Sequence, residues 1–189
     1  MNAQKQALRK ILRQRRTNLS DIDRKNFSLD IAKKLYEQKS WQIATKIGFF
    51  FSQHSEVQTA SIIKHGLEQN KLCYLPVLSE QQITFHAYRS GETLIKNRFN
   101  ISEPNALTAP KINPNELDII LMPLIGFDER CNRLGQGGGY YDRCLQDLKN
   151  RRPILIGLAF ECQKTGSIPT ESWDIPVNYI ITEQNLYAL

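Results

Sequence analysis

No apolar run in the 189-residue chain reaches the roughly 20 residues that a membrane-crossing helix needs. Behind Met1-Asn2-Ala3-Gln4-Lys5 there is no apolar segment, so no secretory signal is expected and the expected location is cytoplasmic. A basic, amphipathic N-terminus has some likeness to an organelle transit peptide, but Asp21 and Asp23 and continuity with the fold argue against one. Cysteine is sparse: Cys73, Cys131, Cys144 and Cys162 form no C-x-x-C pair. His54, His65 and His86 show no zinc spacing, so reduced thiols are expected in place of a metal knot. No Ser-His or Cys-His arrangement stands out, and there is no internal repeat, low-complexity tract or linker. What remains is 41% hydrophobic and 23% charged, enough for one domain over 1–189 with a substantial core.

The net charge of +6 is unevenly placed. Residues 1–40 carry 11 Lys/Arg against 4 Asp/Glu, while the rest carries 14 against 15. The positive field therefore belongs to the N-terminal segment and suits a polyanion such as ATP, a polyglutamate tail or nucleic acid. Residues 3–19 read as an amphipathic helix, with Leu8, Ile11, Leu12 and Leu19 apolar. Lys5, Arg9, Arg13 and Arg16 share another face, where like charges repel unless an anion relieves them. A solvated basic face and a phosphate contact are both compatible with that stripe.

Ser20 and Asp23 open a second helix that runs to about Lys39, with Ile22, Phe27, Ile31 and Leu35 inward. Ile43 to Phe51 reads as a strand, 59–69 as a helix and 71–78 as a strand parallel to the first. Ile83 to Tyr88 reads as a strand, and 91–114 as mostly loop, a length often associated with function. Strand 118–125, helix 140–149, strand 153–159 and a last strand at 178–182 complete the chain. Alternating strands and helices predict an α/β fold with a largely parallel sheet. Ligands then sit beyond the carboxyl ends of the strands, where loops 52–56, 126–140 and 160–174 fall.

The densest chemistry lies in Arg133-Leu134-Gly135-Gln136-Gly137-Gly138-Gly139-Tyr140-Tyr141-Asp142-Arg143. Glycines between a buried strand and a helix start let backbone N–H groups approach a phosphate. The loop is neither a Walker A motif, which needs Gly-Lys-Ser/Thr, nor a dinucleotide fingerprint, which needs a third glycine where Tyr140 stands. Two cations and a carboxylate around such a nest suit an Mg-nucleotide. Asp142 reads either as a magnesium ligand or as a first-turn acid. Asp174 and Glu56 are loop acids on the same edge, Glu56 also being a candidate cap. Tyr140 and Tyr141 read either as packing residues or as walls for a flat ring.

The signature Phe127-Asp128 … Arg133-Leu134-Gly135-x-Gly137-Gly138-Gly139-Tyr140-Tyr141-Asp142-Arg143 resembles that of the 5-formyltetrahydrofolate cyclo-ligase, or methenyltetrahydrofolate synthetase, family. The resemblance covers nearly the whole chain, from Lys5-x-x-x-Arg9 through Glu56-Val57-x-Thr59 and Glu103-Pro104 to Ile168-Pro169-x-Glu171-x-x-Asp174. Relatives often have Gly at Asn132, Ala at Gly126 and His at Trp173. The resemblance implies a three-layer fold like sugar-phosphate isomerases and CoA transferases, and ATP-dependent closure of 5-formyltetrahydrofolate to 5,10-methenyltetrahydrofolate. It implies ATP contacts at Lys5, Arg9, Arg133, Leu134, Gly135, Gln136, Gly137, Gly138, Gly139, Tyr140 and Tyr141. It implies substrate contacts at Phe51, Glu56 and Gln136 to Tyr140, with Mg²⁺ on Asp142 and Asp174. Arg133, Tyr140 and Asp142 are the expected catalytic residues. The expected partners are the folate and ATP, without nucleic acid or membrane, and a monomer is expected. Two rivals are another α/β enzyme acting on a phosphorylated small molecule and an RNA-binding module using residues 5–16.

Overall fold

A computed structural model describes residues 3–80, 82–146, 148 and 153–189. In chain order the helices and strands begin with α1 (Ala3–Thr17), α2 (Asp21–Glu37), α3 (Lys39–Ile43), β1 (Lys46–Gly48) and α4 (Ala60–Glu68). Next come β2 (Leu72–Leu78), β3 (Ile83–Tyr88), β4 (Ile95–Lys96), β5 (Ser102–Glu103), β6 (Lys111–Ile112) and β7 (Ile119–Pro123). The hairpin β8 (Gly126–Phe127) and β9 (Arg133–Leu134) precedes α5 (Tyr140–Gln146), β10 (Ile154–Leu158), β11 (Tyr179–Ile181) and β12 (Leu186–Ala188).

The main sheet has eight strands in the order β12-β11-β10-β7-β1-β2-β3-β6. Its centre is parallel, from β11 through β10, β7 and β1 to β2. Antiparallel pairings flank it, β12 on β11 at one side, and β3 on β2 with β6 on β3 at the other. The fold is the expected α/β class with a largely parallel sheet. Strand β7 lies between β10 and β1 and is buried on both faces, so its side chains divide by alternation. Ile119 and Leu121 pack with Ile31, Leu35, Trp41 and Ile62 from the helices α2, α3 and α4. Ile120 and Met122 pack on the other side with Phe85, Leu145, Val177 and Ile180.

Several expected boundaries move. Ser20 caps α2 by accepting from the Asp23 amide at 3.1 Å, as expected. Ile22, however, is 62% exposed. It stands nine residues before buried Ile31, which is two and a half turns, and so points the opposite way. The strand expected from Ile43 to Phe51 shrinks to Lys46–Gly48. Before it, residues 39–43 coil into α3, which buries Trp41. After it, the Phe50 carbonyl accepts from the Thr59 hydroxyl at 2.7 Å instead of a strand neighbour, and the chain turns into the 52–56 loop. The helix expected over 140–149 runs to Gln146; residues 147 and 149 lie outside the described residues.

A third small core docks α1 on the loops beyond the sheet. Leu12, fully buried, meets Ile125, Leu134 and Ile168 there, with Leu8 against them.

Candidate active site

The basic stripe of α1 meets protein along most of its length, Lys5 and Arg16 buried, Arg9 half-buried and Arg13 exposed. Lys5 ion-pairs with Asp174, and both Lys5 and Arg16 are under 10% exposed. The Arg9 Nε donates to the Gly135 carbonyl at 2.9 Å, and an Arg13 Nη2 donates to the Gln136 side-chain oxygen at 2.8 Å. Arg16 donates to the Ser55 hydroxyl at 3.0 Å and to the Leu124 carbonyl at 3.2 Å. One helix face therefore holds the three loops expected to carry the site. Acceptors from those loops relieve the repulsion that the sequence pattern creates.

These loops enclose a cavity of about 770 Å³, the scale of a small-molecule site. Every residue expected to bind ATP, folate or metal lines it: Lys5, Arg9, Phe51, Glu56, Arg133 to Asp142 and Asp174. The glycine loop runs along one wall. Gly137 has φ +107° and Gly139 has φ +65°, values that side-chain-bearing residues rarely adopt. A Cβ on Gly138 would come within 2.8 Å of the Tyr140 ring. Gly135 is different, with only an Arg133 nitrogen at 3.6 Å from such a Cβ.

Arg133 reaches the cavity from β9 with its side chain 5% exposed. One of its guanidinium nitrogens donates to Asp142 at 2.5 Å. Its Nε is buried and has no hydrogen-bond partner among the described residues. An unmet donor of this kind costs free energy unless an acceptor arrives, and a phosphate oxygen is the natural acceptor for an arginine. Asp142 takes its bonds, from Arg133 and from the Ile175 amide at 3.4 Å, on Oδ1. Asp174 takes its bonds, from Lys5 and from the Glu171 amide at 2.8 Å, on Oδ2. Among the described residues the other oxygen of each carries no bond. No group of three or more His, Cys, Asp or Glu able to hold a metal occurs among the described residues. Two carboxylates with open oxygens fit Mg²⁺ that brings phosphates and water as further ligands, and fit a protein-only cage poorly.

Glu56 is buried beside the glycine loop. Its carboxylate accepts from the Gln53 amide at 2.9 Å and from the Gln136 side chain at 3.0 Å. Burial raises its carboxyl above the ordinary value, against the pull of those bonds and of Arg16 and His54. The Tyr141 hydroxyl is likewise pushed up by burial, with Glu56 adding to it. Tyr140 lies under the Arg143 guanidinium at 5.3 Å and points its hydroxyl to the Glu80 carbonyl at 3.4 Å.

The opposite wall was not assigned from sequence. Leu78 ends β2 and Ile83 begins β3, and Phe99 and Ile101 come from the turn between β4 and β5. Trp173, 61% exposed, stands at the rim. The signal for Phe99 and Ile101 was the length of loop 91–114. Neither residue matches a motif.

The sequence model of the 5-formyltetrahydrofolate cyclo-ligase family matches residues 1–183. The chain belongs to this family. The 5-formyltetrahydrofolate cyclo-ligase of Haemophilus influenzae is 38% identical over 184 residues, 94% of this chain and 97% of its own. The NMR structure of Aquifex aeolicus 5,10-methenyltetrahydrofolate synthetase superposes with a TM-score of 0.86 at 30% identity, over 97% of this chain and 92% of that one. The 5,10-methenyltetrahydrofolate synthetase of Mycoplasma pneumoniae gives 0.76 at 27% identity, over 95% and 98%. The glycine signature and two residues of the N-terminal basic stripe, Lys5 and Arg9, line one cavity.

Proposed function

We propose that this cavity holds ATP and 5-formyltetrahydrofolate together, with the phosphates along the Arg133 to Gly139 wall. The activity is that of a 5-formyltetrahydrofolate cyclo-ligase: 5-formyltetrahydrofolate becomes 5,10-methenyltetrahydrofolate while ATP becomes ADP and phosphate. The observation that carries the site is the buried Arg133 Nε, unpartnered among the described residues, in a cavity that also gathers Lys5, Arg9 and the glycine loop.

The chemistry follows from the weakness of a formyl oxygen as a leaving group. The γ-phosphoryl group passes to that oxygen, ADP departs, and the formyl carbon becomes an iminium phosphate. The folate N10 attacks that carbon and loses its proton, and the carbon–oxygen bond breaks to release phosphate. No covalent bond to the protein forms, so its contribution is positioning and charge. Lys5, Arg9, Arg133 and the loop amides hold phosphate oxygens. Glu56, Phe51 and Tyr140 orient the folate, the buried carboxyl toward ring donors and the aromatic faces against its plane. Asp142 and Asp174 would hold Mg²⁺ on their open oxygens, where it would neutralise phosphate charge. Residues 1–189 work as one domain, as a cytoplasmic monomer. The inward turn of the α1 stripe supports this over RNA binding, because Lys5, Arg9 and Arg16 are occupied inside the protein.

The test is absorbance of methenyltetrahydrofolate in a mixture of protein, 5-formyltetrahydrofolate, Mg²⁺ and ATP. A rise that needs both protein and ATP is expected. A folded protein that gives none refutes the reading. Calorimetry with Mg²⁺ alone should show no heat of binding; saturable binding without nucleotide would contradict the two-carboxylate site.

A further inference from the structure

Asp128 lies in the turn between β8 and β9 and is 3% exposed. It is not among the residues that line the cavity. Its Oδ1 accepts from the Arg130 amide at 3.0 Å and from the Asn132 amide at 3.1 Å. Its Oδ2 accepts from the Asn132 side-chain nitrogen at 3.0 Å and from the Ile168 amide at 2.9 Å. Three of these bonds close the turn locally. The fourth spans 40 positions to the segment that leads to Asp174. Backbone ties run beside it, from the Thr165 amide to the Phe127 carbonyl at 2.9 Å and from the Val177 amide to the Cys131 carbonyl at 3.1 Å.

The four donors explain why the residue is an acid. An ionised carboxylate accepts on both oxygens, whereas an amide of the same shape offers one acceptor and turns two donors toward the rest. Arg133 follows the turn on β9, and Asp174 follows Ile168 in its loop. The carboxylate is thus the side-chain tie, beside two backbone ones, between the turn that leads to the arginine and the loop that presents the aspartate.

We propose that Asp128 is a positioning residue for phosphoryl transfer, setting the spacing between Arg133 and Asp174 and so the seat of the ATP phosphates. This rests on the reading that those two residues face the phosphates. Misplacement by about 1 Å can cost up to a hundredfold in rate or affinity.

The test uses Asp128→Asn and the double variant Asp128→Asn/Asn132→Asp, with Arg133→Ala and Asp174→Ala as references. In the double variant the side-chain pair is restored with its polarity reversed, while the Ile168 amide still faces an NH2 group. Asp128→Asn should raise KM for ATP about tenfold to a hundredfold, and leave KM for 5-formyltetrahydrofolate within about twofold. The double variant should recover part of the lost melting temperature and keep the raised KM for ATP. Recovery of both would make Asp128 a turn residue only and overturn the proposal. So would a change in the folate KM equal to that for ATP, or a double variant that fails to fold. If Arg133→Ala and Asp174→Ala leave ATP dependence unchanged, the phosphate reading itself fails and the proposal falls with it.

Discussion

Gly126 is a place where a single methyl group tests how α1 is seated. A Cβ built there would lie 2.1 Å from Leu12 Cδ1 and 3.2 Å from the Gln163 carbonyl oxygen. Carbon atoms rest at roughly 3.5–4.0 Å, so the overlap exceeds an ångström and Leu12, fully buried, must move. Overpacking of this kind costs about 1–3 kcal/mol; a middle value of about 2 kcal/mol lowers the melting temperature of a chain this size by roughly 4–8 °C. Because Lys5 and Arg9 ride on the same helix, Gly126→Ala should also raise KM for ATP. Leu12→Ala alone removes a buried leucine and should cost about 2–5 kcal/mol. In the double variant the new methyl occupies part of the space that Leu12 vacates. The combined loss should therefore fall short of the sum by about 1 kcal/mol or more. Denaturant unfolding of the four proteins, with ATP kinetics on each, measures this. Additive losses, or a Gly126→Ala protein as stable as its parent, would refute the close contact between Leu12 and Gly126.

Within the glycine loop, Gly137→Ala and Gly139→Ala should each lose about 1–2 kcal/mol and most ATP affinity, because both backbones are left-handed. Gly135→Ala should stay near parental stability, and equal losses at all three positions would contradict the conformations described. Arg9→Ala removes a charge-assisted bond worth about 1.5–3 kcal/mol; it should raise KM for ATP with little change for the folate, as steady-state kinetics would show. Glu56→Gln should separate stability from activity. Its carboxyl is raised on folding by burial, so the protonated form stabilises the fold fully below the ordinary value of 4.5, and that benefit is lost as pH rises through the folded value. Glutamine mimics the protonated form. The variant should match its parent at about pH 4 and exceed it at about pH 8, while folate binding falls. Urea midpoints at the two pH values decide, and a variant less stable at high pH would reverse the sign.

Much of the site could be read from the sequence because its residues cluster in motifs. The glycine loop, Arg133 and Asp142 are neighbours in sequence. Lys5, Arg9, Arg13 and Arg16 declare a common face through helical spacing. That spacing could not say whether the face meets water or protein, since Ser55, Leu124, Gly135 and Asp174 lie far along the chain. The same limit hid the hairpin of β8 and β9. The stretch 118–125 reads as one strand, yet the Leu124 carbonyl is taken by Arg16 at 3.2 Å and by Gln163 at 2.6 Å. Those long-range donors let the strand end at Pro123. Ile22 was misread because its inward placement followed its apolarity instead of its phase on α2. Phe99 and Ile101 belong to a wall made by shape, which needs apolar area but no fixed residue order.

The contact between Lys5 and Asp174 joins positions 169 apart, and Arg9 meets Gly135 across 126. Arg16 meets Ser55 and Leu124 at shorter separations, so α1 is held by partners drawn from both halves of the chain. Contacts of such separation are slow to form, so the docking of α1, and with it the closing of this side of the cavity, is expected to follow the assembly of the parallel sheet.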